Sequence, residues 1–113
     1  GKERKVYVIG VDSNQNHLGH VKETGENYGL TSMLKQVDVA VYLTVKDLSE
    51  GKFTAGVRVF GLGDRVQIEG QTYHGVYYAL DDYNKDLVSA DIIEKVTEAE
   101  KKILSGAIKV PEK

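Results

Sequence analysis

The fold is decided by residues 5–16, which read KVYVIGVDSNQN. Apolar side chains occupy most of its first half, at Val6, Val8, Ile9 and Val11. A nearly continuous apolar run of this kind predicts a β-strand that is buried on both faces. Gly10 lets a ligand or another backbone approach closely, and Asp12 stands at the carboxyl end of the strand. Because ligands of open α/β sheets bind at that edge, we expect a binding site there.

The composition excludes several classes of function. The chain has 113 residues, enough for one domain with a modest core. Its 15 Lys and Arg residues face 17 Asp and Glu residues, so the net charge of −2 offers no basic field to a nucleic acid. The absence of cysteine excludes disulfides, thiol catalysis and thiolate metal sites. Neither a membrane-spanning apolar run nor a signal-peptide pattern is visible. We expect one domain over residues 1–113.

The middle of the chain predicts a loop followed by a helix. Residues 16–29 contain three glycines and show no periodicity, which is typical of a loop. From Leu30 to Leu48, apolar residues recur three or four positions apart, as on one face of an amphipathic helix. Gly51 is placed to end that helix.

A second strand is expected at residues 53–62, which end in a glycine-rich turn at 61–64. Strand, helix and strand would then form a right-handed βαβ unit with parallel strands. This arrangement would bring Asp12 and the 61–64 turn to the same edge of the sheet, where two polar turns suit a small ligand.

Residues 64–80 predict a β-hairpin. Val66 and Ile68 alternate with polar residues, and Gly70 supplies the turn. We expect His74 on the surface of this hairpin. A further turn at residues 81–84 follows the return arm.

The last predicted element is a helix. Ser89 is a suitable N-cap, and Asp91 is favourable in the first turn because of the helix dipole. Gly106 is placed to end the helix.

Seven strings, taken together and in order, resemble the basic membrane protein family. They are residues 8–15 (VIGVDSNQ), 30–35 (LTSMLK), 37–42 (VDVAVY), 51–53 (GKF), 61–62 (GL), 78–84 (YALDDYN) and 106–111 (GAIKVP). That family consists of lipid-anchored, extracytoplasmic solute-binding proteins of ABC transporters and includes the purine nucleoside receptor. Its members have two lobes of the type I periplasmic-binding fold, with the ligand held between them.

The resemblance implies that this chain is the C-terminal portion of such a protein. The implied fold is a three-layer α/β lobe with a βαβ unit, an inserted β-hairpin at residues 64–76 and a C-terminal helix. The implied function is non-enzymatic binding of a small solute, a purine nucleoside, within an uptake system that includes a membrane permease.

The resemblance also implies which residues contact the solute. Asp12 matches the family carboxylate that binds the ribose hydroxyls. The expected ligand-binding set is Gly10, Asp12, Ser13, Asn14, Gln15 and Gly61. One departure concerns the turn after Gly61, where the family usually has a lysine that reaches the ligand. Here residues 61–65 read GLGDR, without a lysine.

Other candidate sites have simpler structural interpretations. His17 and His20 could bind a divalent metal, but no acidic motif accompanies them, and solvated loop histidines are the more common case. The tyrosines at 73, 77 and 78 could stack on a flat ligand, although cross-strand packing is the more common role. The 61–64 turn lacks the lysine and serine of a phosphate loop. No nucleophile motif is present, so neither an enzyme, a cofactor nor a metal is expected.

Two main hypotheses remain open, together with a small α/β enzyme as a weaker third. In the first, the chain binds a nucleoside at the carboxyl ends of its strands. In the second, it is a truncated or engineered scaffold or interaction module that self-associates without keeping the ligand site. Unpaired sheet edges or the hairpin would then form a homo-oligomer by strand pairing or exchange of elements.

Overall fold

The computed structural model describes residues 4–111 and shows a mixed α/β chain, which confirms the predicted class at that level. Its strands are β1 (Val8–Asp12), β2 (Gly29–Lys35), β3 (Arg65–Ile68), β4 (Gln71–His74) and β5 (Val76–Tyr78). Its helices are α1 (Val37–Ser49) and α2 (Ala90–Leu104), and a short 3-10 helix lies at Asn16–Gly19. In the described part of the chain, neither α-helix has the length and apolar character needed to cross a membrane.

The main sheet has the order β1-β2-β5, with β1 parallel to β2 and β5 antiparallel to β2. β1 is therefore an edge strand, and its side chains are largely exposed, with Val8 at 59% and Ile9 at 61%. The prediction of a strand buried on both faces is wrong for this structure. A single neighbouring strand and one 3-10 helix, the elements against which β1 mainly packs, cannot cover both of its faces.

The predicted helix over residues 30–48 divides into a strand and a helix. Residues 30–35 belong to β2, and α1 begins only at Val37. The apolar spacing misled because Leu30 and Leu34 are four positions apart, a separation that keeps side chains on one face of either element. Ser32 lies between them and is fully buried, which fits the period of two in a strand.

The C-terminal end of α1 confirms the predicted glycine cap. Gly51 has a φ of +71°, in the left-handed region. Its N–H donates to the Leu48 carbonyl at 3.2 Å, and the Lys52 N–H donates to the Asp47 carbonyl at 2.8 Å. These two bonds form a Schellman motif, which satisfies carbonyls that a helix end leaves without partners.

Residues 53–62 do not form the predicted second strand. They run as irregular chain, with Val57 99% exposed and Val59 85% exposed. The segment is held instead by Arg58, which pairs with Asp47 at 2.5 Å and with Asp64 at 3.6 Å. Because a strand requires a neighbour for its backbone groups, the βαβ unit built on this segment is wrong. The parallel pair that does form joins β1 to β2.

The structure confirms the hairpin but shortens it to β3 and β4. Ile68 pairs with Gln71, so the turn is the two-residue loop Glu69-Gly70. Both loop residues have positive φ, +51° and +81°, as a type I′ turn requires. The predicted return arm divides at Gly75, beyond which β5 pairs with β2 in the main sheet.

The predicted last helix is confirmed as α2. Ser89 occupies the N-cap position with an extended backbone, although its hydroxyl makes no capping bond, and Gly106 has a φ of +79° just after the end. No residue of α2 is buried. The buried apolar side chains of the described chain are Val39, Val66, Ala79 and Val88.

Candidate functional site

The site expected from the sequence lies where β1 ends. Asp12 is the last residue of β1 and pairs in register with Leu34 of β2. Its φ of +77° is in the left-handed region, which residues other than glycine seldom adopt. Its side chain is 65% exposed and lies 2.7 Å from the Nζ of Lys35. An ion pair this exposed contributes about 0–1 kcal/mol, so it leaves the carboxylate open to exchange partners.

The next residue, Ser13, is also exposed. In the part of the chain that the structure describes, the Ser13 side chain makes no hydrogen bond to protein groups. Asp12 and Ser13 therefore present a carboxylate and a hydroxyl to the outside of the molecule, side by side at the sheet edge.

Asn14 differs because both ends of its amide are used internally. Its Nδ2 donates to the Asp81 carboxylate at 2.7 Å, and its Oδ1 accepts from the Asn16 N–H at 3.0 Å. The structure thus places Asn14 beside the site but directs its side chain towards the protein.

Gln15 and Gly10 are joined in a similar way. The Gln15 Oε1 accepts from the Val11 N–H at 3.2 Å, and the Gln15 N–H donates to the Ser32 hydroxyl at 3.0 Å. A Cβ on Gly10 would lie 2.7 Å from the Ser32 Oγ and 2.9 Å from the Gln15 Cβ. The absence of a side chain at Gly10 therefore makes room for the folded-back turn.

A buried polar centre lies beneath this turn, and the sequence analysis did not identify it. Asn16, Ser32 and Asn84 are each at most 1% exposed. The Ser32 hydroxyl donates to the Asn16 Oδ1 at 2.8 Å, and the Asn84 Nδ2 donates to the carbonyls of Leu30 and Ala79 at 2.9 Å. The available signal was the polar string at 81–84 after a strand, which predicts a turn but does not by itself indicate a buried polar centre.

Asp81 connects the two halves of this centre. One of its carboxylate oxygens accepts from both Asn14 and Asn16, and the other accepts from the Tyr83 N–H. Burial raises the pKa of Asp81, but the hydrogen bonds from Asn14, from the Tyr83 and Asn84 backbone and from Asn16 more than offset this. The pKa of Asp81 consequently lies below its usual value, and the group is ionised at neutral pH.

Gly61 lies at the same end of the main sheet as Asp12 but on the other side of β2. The Gly61 N–H is not part of a strand ladder and donates to the Asp64 carboxylate at 2.8 Å. Its carbonyl approaches Gly75, whose own carbonyl accepts from the Gln36 N–H directly after β2. Among the described residues, no hydrogen bond or ion pair joins Gly61 to Asp12. Gly61 lines a separate, mainly apolar cavity of about 380 Å³ beside α2.

The other candidates have structural roles. The rings of His17 and His20 lie 6.3 and 5.7 Å from the ring of Tyr83, and residues 4–111 contain no cluster of His, Asp and Glu suited to a metal ion. His74 is buried rather than on the hairpin surface, because its ring stacks on Tyr77 at 4.4 Å.

Tyr77 and Tyr78 of the return arm contact each other, and Tyr77 also stacks on His74. The rings of Tyr77 and Tyr78 lie 4.7 Å apart, and both also line the apolar cavity beside α2. Burial raises the pKa of Tyr77 to about 12. The hydroxyl of Tyr73 donates to the Gln71 side chain at 3.0 Å.

Comparison with known proteins gives relatives but no family model that matches the chain. The CD4+ T-cell-stimulating antigens of Listeria monocytogenes and Listeria innocua are each 38% identical over 114 residues, which covers 97% of this chain. The ABC transporter nucleoside-binding protein BmpA of Lactococcus lactis subsp. cremoris is 32% identical over 116 residues, covering 96% of this chain. The chain spans only 28–29% of the length of these relatives.

Proposed function

We propose that this chain carries part of a solute-binding site of the basic membrane protein type, and that the solute is a purine nucleoside. The similarity to the nucleoside-binding protein BmpA supports this proposal, because it extends over 96% of the chain. The observation that carries it is the state of Asp12: an exposed carboxylate, at the carboxyl end of a strand, held at a φ of +77°. Unusual backbone conformations of this kind cluster at ligand-binding positions.

The chemistry of Asp12 fits a sugar diol. An ionised carboxylate has two acceptor oxygens and can receive hydrogen bonds from two neighbouring hydroxyls. The Lys35 ammonium, 2.7 Å away, can remain in place while the hydroxyls bind. The hydroxyl of Ser13 adds a donor and acceptor next to the carboxylate.

In this proposal the chain belongs to a lobe of the type I periplasmic-binding fold. A second lobe would cover the exposed edge at Asp12, because small-molecule sites gain affinity by enclosing most of the ligand. The whole protein would be a non-enzymatic, lipid-anchored, extracytoplasmic receptor that delivers its solute to a membrane permease of an ABC transporter. We expect the chain alone to bind nucleosides weakly, all the more because the family lysine after Gly61 is missing.

Calorimetric titration with adenosine, guanosine and inosine tests the proposal. The informative variants are Asp12→Asn, which keeps the shape but removes the charge, and Asp12→Gly, which suits the positive φ and removes the side chain. We expect heat of binding for the wild type and at least about a tenfold loss of affinity in both variants, the factor that corresponds to losing a charge-assisted hydrogen bond.

Glu94→Gln is the matched control, because Glu94 is an exposed carboxylate on α2. Its nucleoside affinity should equal that of the wild type. Equal affinity in Asp12→Gly would remove Asp12 from the site, and the absence of heat with all three nucleosides would contradict nucleoside binding by this chain.

The exposed edge of β1 favours a second candidate, an interaction module. Val8, Ile9 and Val11 are each at least 50% exposed along an edge strand, which is a template for pairing with another chain. Self-association through β1 or through the β3–β4 hairpin would give a homo-oligomer. Light scattering at micromolar concentration tests this: Ile9→Lys should convert an oligomer to a monomer, and a wild type that is already monomeric contradicts it.

A further inference from the structure

The turn that follows Asp12 is shaped by side-chain hydrogen bonds, some local and some to residues far away in the sequence. Its backbone N–H groups at positions 15 and 16 donate to side chains, the Ser32 hydroxyl and the Asn14 amide, rather than to a strand or helix ladder. Those side chains must themselves be held in place for the turn to have one conformation.

Asp81 supplies that support from outside the turn. Its carboxylate accepts from Asn14 at 2.7 Å and from Asn16 at 3.1 Å, and it lies 67 positions after Asn14 in the sequence. Asn16 continues the chain of contacts to the buried hydroxyl of Ser32 on β2.

Asp81 is in turn fixed to the main sheet by Asn84. The Asp81 N–H donates to the Asn84 Oδ1 at 2.8 Å. The Asn84 Nδ2 donates to the backbone carbonyls of Leu30, on β2, and Ala79, just after β5. The Asn84 side chain is fully buried, so its amide is shielded from water.

We propose that Asp81 is a positioning residue for the site at the end of β1. It holds Asn14 and Asn16, and through them the 13–16 turn, in the conformation that presents Asp12 and Ser13. In consequence, Asn14 and Gln15 position the site from within, and the contacts to the solute fall to Asp12 and Ser13. The ligand part of this inference rests on the proposed nucleoside function, but the support of the turn by Asp81 does not.

Amide hydrogen exchange tests the support of the turn without any ligand. In Asp81→Asn, the charge is lost and an amide group takes the place of one acceptor oxygen, so that it faces either the Asn14 and Asn16 donors or the Tyr83 N–H. We expect the amides of Gln15 and Asn16 to exchange about tenfold faster than in the wild type. The Gly75 amide, which donates to the Asp64 carbonyl at 2.7 Å in another part of the molecule, should be unchanged and serves as the internal reference.

Two further variants separate this role from general loss of stability. Asp82→Asn changes the neighbouring carboxylate, which pairs with Lys85 on the surface, and should leave all three amides unchanged. Asp81→Asn combined with Asn14→Asp exchanges donor and acceptor across the pair, and should recover part of the lost protection at Gln15 and Asn16. Unchanged exchange in Asp81→Asn, or a uniform increase that includes Gly75, would overturn the proposal.

Nucleoside titration then tests the division of roles. Asp81→Asn should lower affinity severalfold, whereas Asp82→Asn, which changes a carboxylate paired with Lys85 on the surface, should bind as the wild type does. If the wild type binds no nucleoside, the proposed function fails while the exchange result still decides the role of Asp81. Full affinity in Asp81→Asn alongside faster exchange would overturn the link between the turn and the solute.

Discussion

The 13–16 turn and the β3–β4 hairpin are both short polar connections, but they keep their shapes by different means. The hairpin turn is a two-residue loop between two paired strands of four residues each, so the pairing of its immediate neighbours fixes its conformation. The 13–16 turn depends on side chains of Ser32 and Asp81, which are far away in the sequence. The hairpin therefore depends on local backbone chemistry, whereas the turn at the candidate site depends on the assembled fold.

Among the variants that test this contrast, Asn84→Ala should cause the largest loss of stability. The substitution leaves the carbonyls of Leu30 and Ala79 and the Asp81 N–H without their buried partner. We expect a loss of about 3 kcal/mol in the free energy of unfolding, measured by urea denaturation.

Gln71→Ala in the hairpin is the matched control for Asn84→Ala. Gln71 is exposed and accepts one bond from Tyr73, so the loss should stay below about 0.5 kcal/mol. Equal losses in the two variants would contradict the difference between the regions.

Gly10→Ala should have the next largest effect. The added methyl group would lie 2.7 Å from the Ser32 Oγ and 2.9 Å from Gln15, so one of them must move. We expect a loss of about 2 kcal/mol, the usual cost of overpacking, with amide chemical-shift changes concentrated at residues 11–16. Shifts that appear instead in the hairpin would show that the two regions are not independent.

Gly70→Ala tests whether the local backbone conformation stabilises the hairpin independently of the 13–16 turn. At a φ of +81°, alanine is strained by about 1 kcal/mol, and nothing lies near the added Cβ to increase that cost. Urea denaturation should show this loss, while the Gln15 and Asn16 amides keep their wild-type exchange rates. Glu69→Gly, at a φ of +51°, is the control and should not destabilise the chain through strain.

The smallest expected effect is the pH dependence contributed by Asp81. Its pKa in the folded state lies below the ordinary value of 3.8, so it favours folding when ionised. That contribution is complete above the unfolded-state pKa and is lost as the pH falls from about 4 through the lower, folded-state pKa. Denaturation between pH 6 and pH 3 should therefore show a shallower decline in Asp81→Asn than in the wild type, and parallel curves would contradict it.

The sequence predicted the elements whose signals are local. The hairpin turn at Gly70, the helix ends at Gly51 and Gly106 and the helix start at Ser89 all depend on nearby residues, and the structure confirms each of them. The mixed α/β class followed from the same patterns.

The sequence could not predict where strands find their partners. Residues 53–62 have the alternation of a strand, but in the described chain no strand pairs with them. Residues 30–35 match a helical spacing, although they form β2 and pair with β1 and β5. The position of Asp12 at a strand end was anticipated. Its ion pair with Lys35 and the support from Asp81 and Asn84 depend on the strand order, which single-sequence patterns do not contain.

The 67-residue separation between Asn14 and Asp81 has a consequence for the chain as it is made. At the usual rate of translation, the ribosome needs roughly 3 to 13 seconds to extend the chain from Asn14 to Asp81. The hairpin can form within microseconds once its own residues emerge. The 13–16 turn can reach Ser32 during that interval, but it lacks the Asp81 carboxylate until the end of it. The candidate binding edge is therefore among the last parts of the nascent chain to reach its final shape.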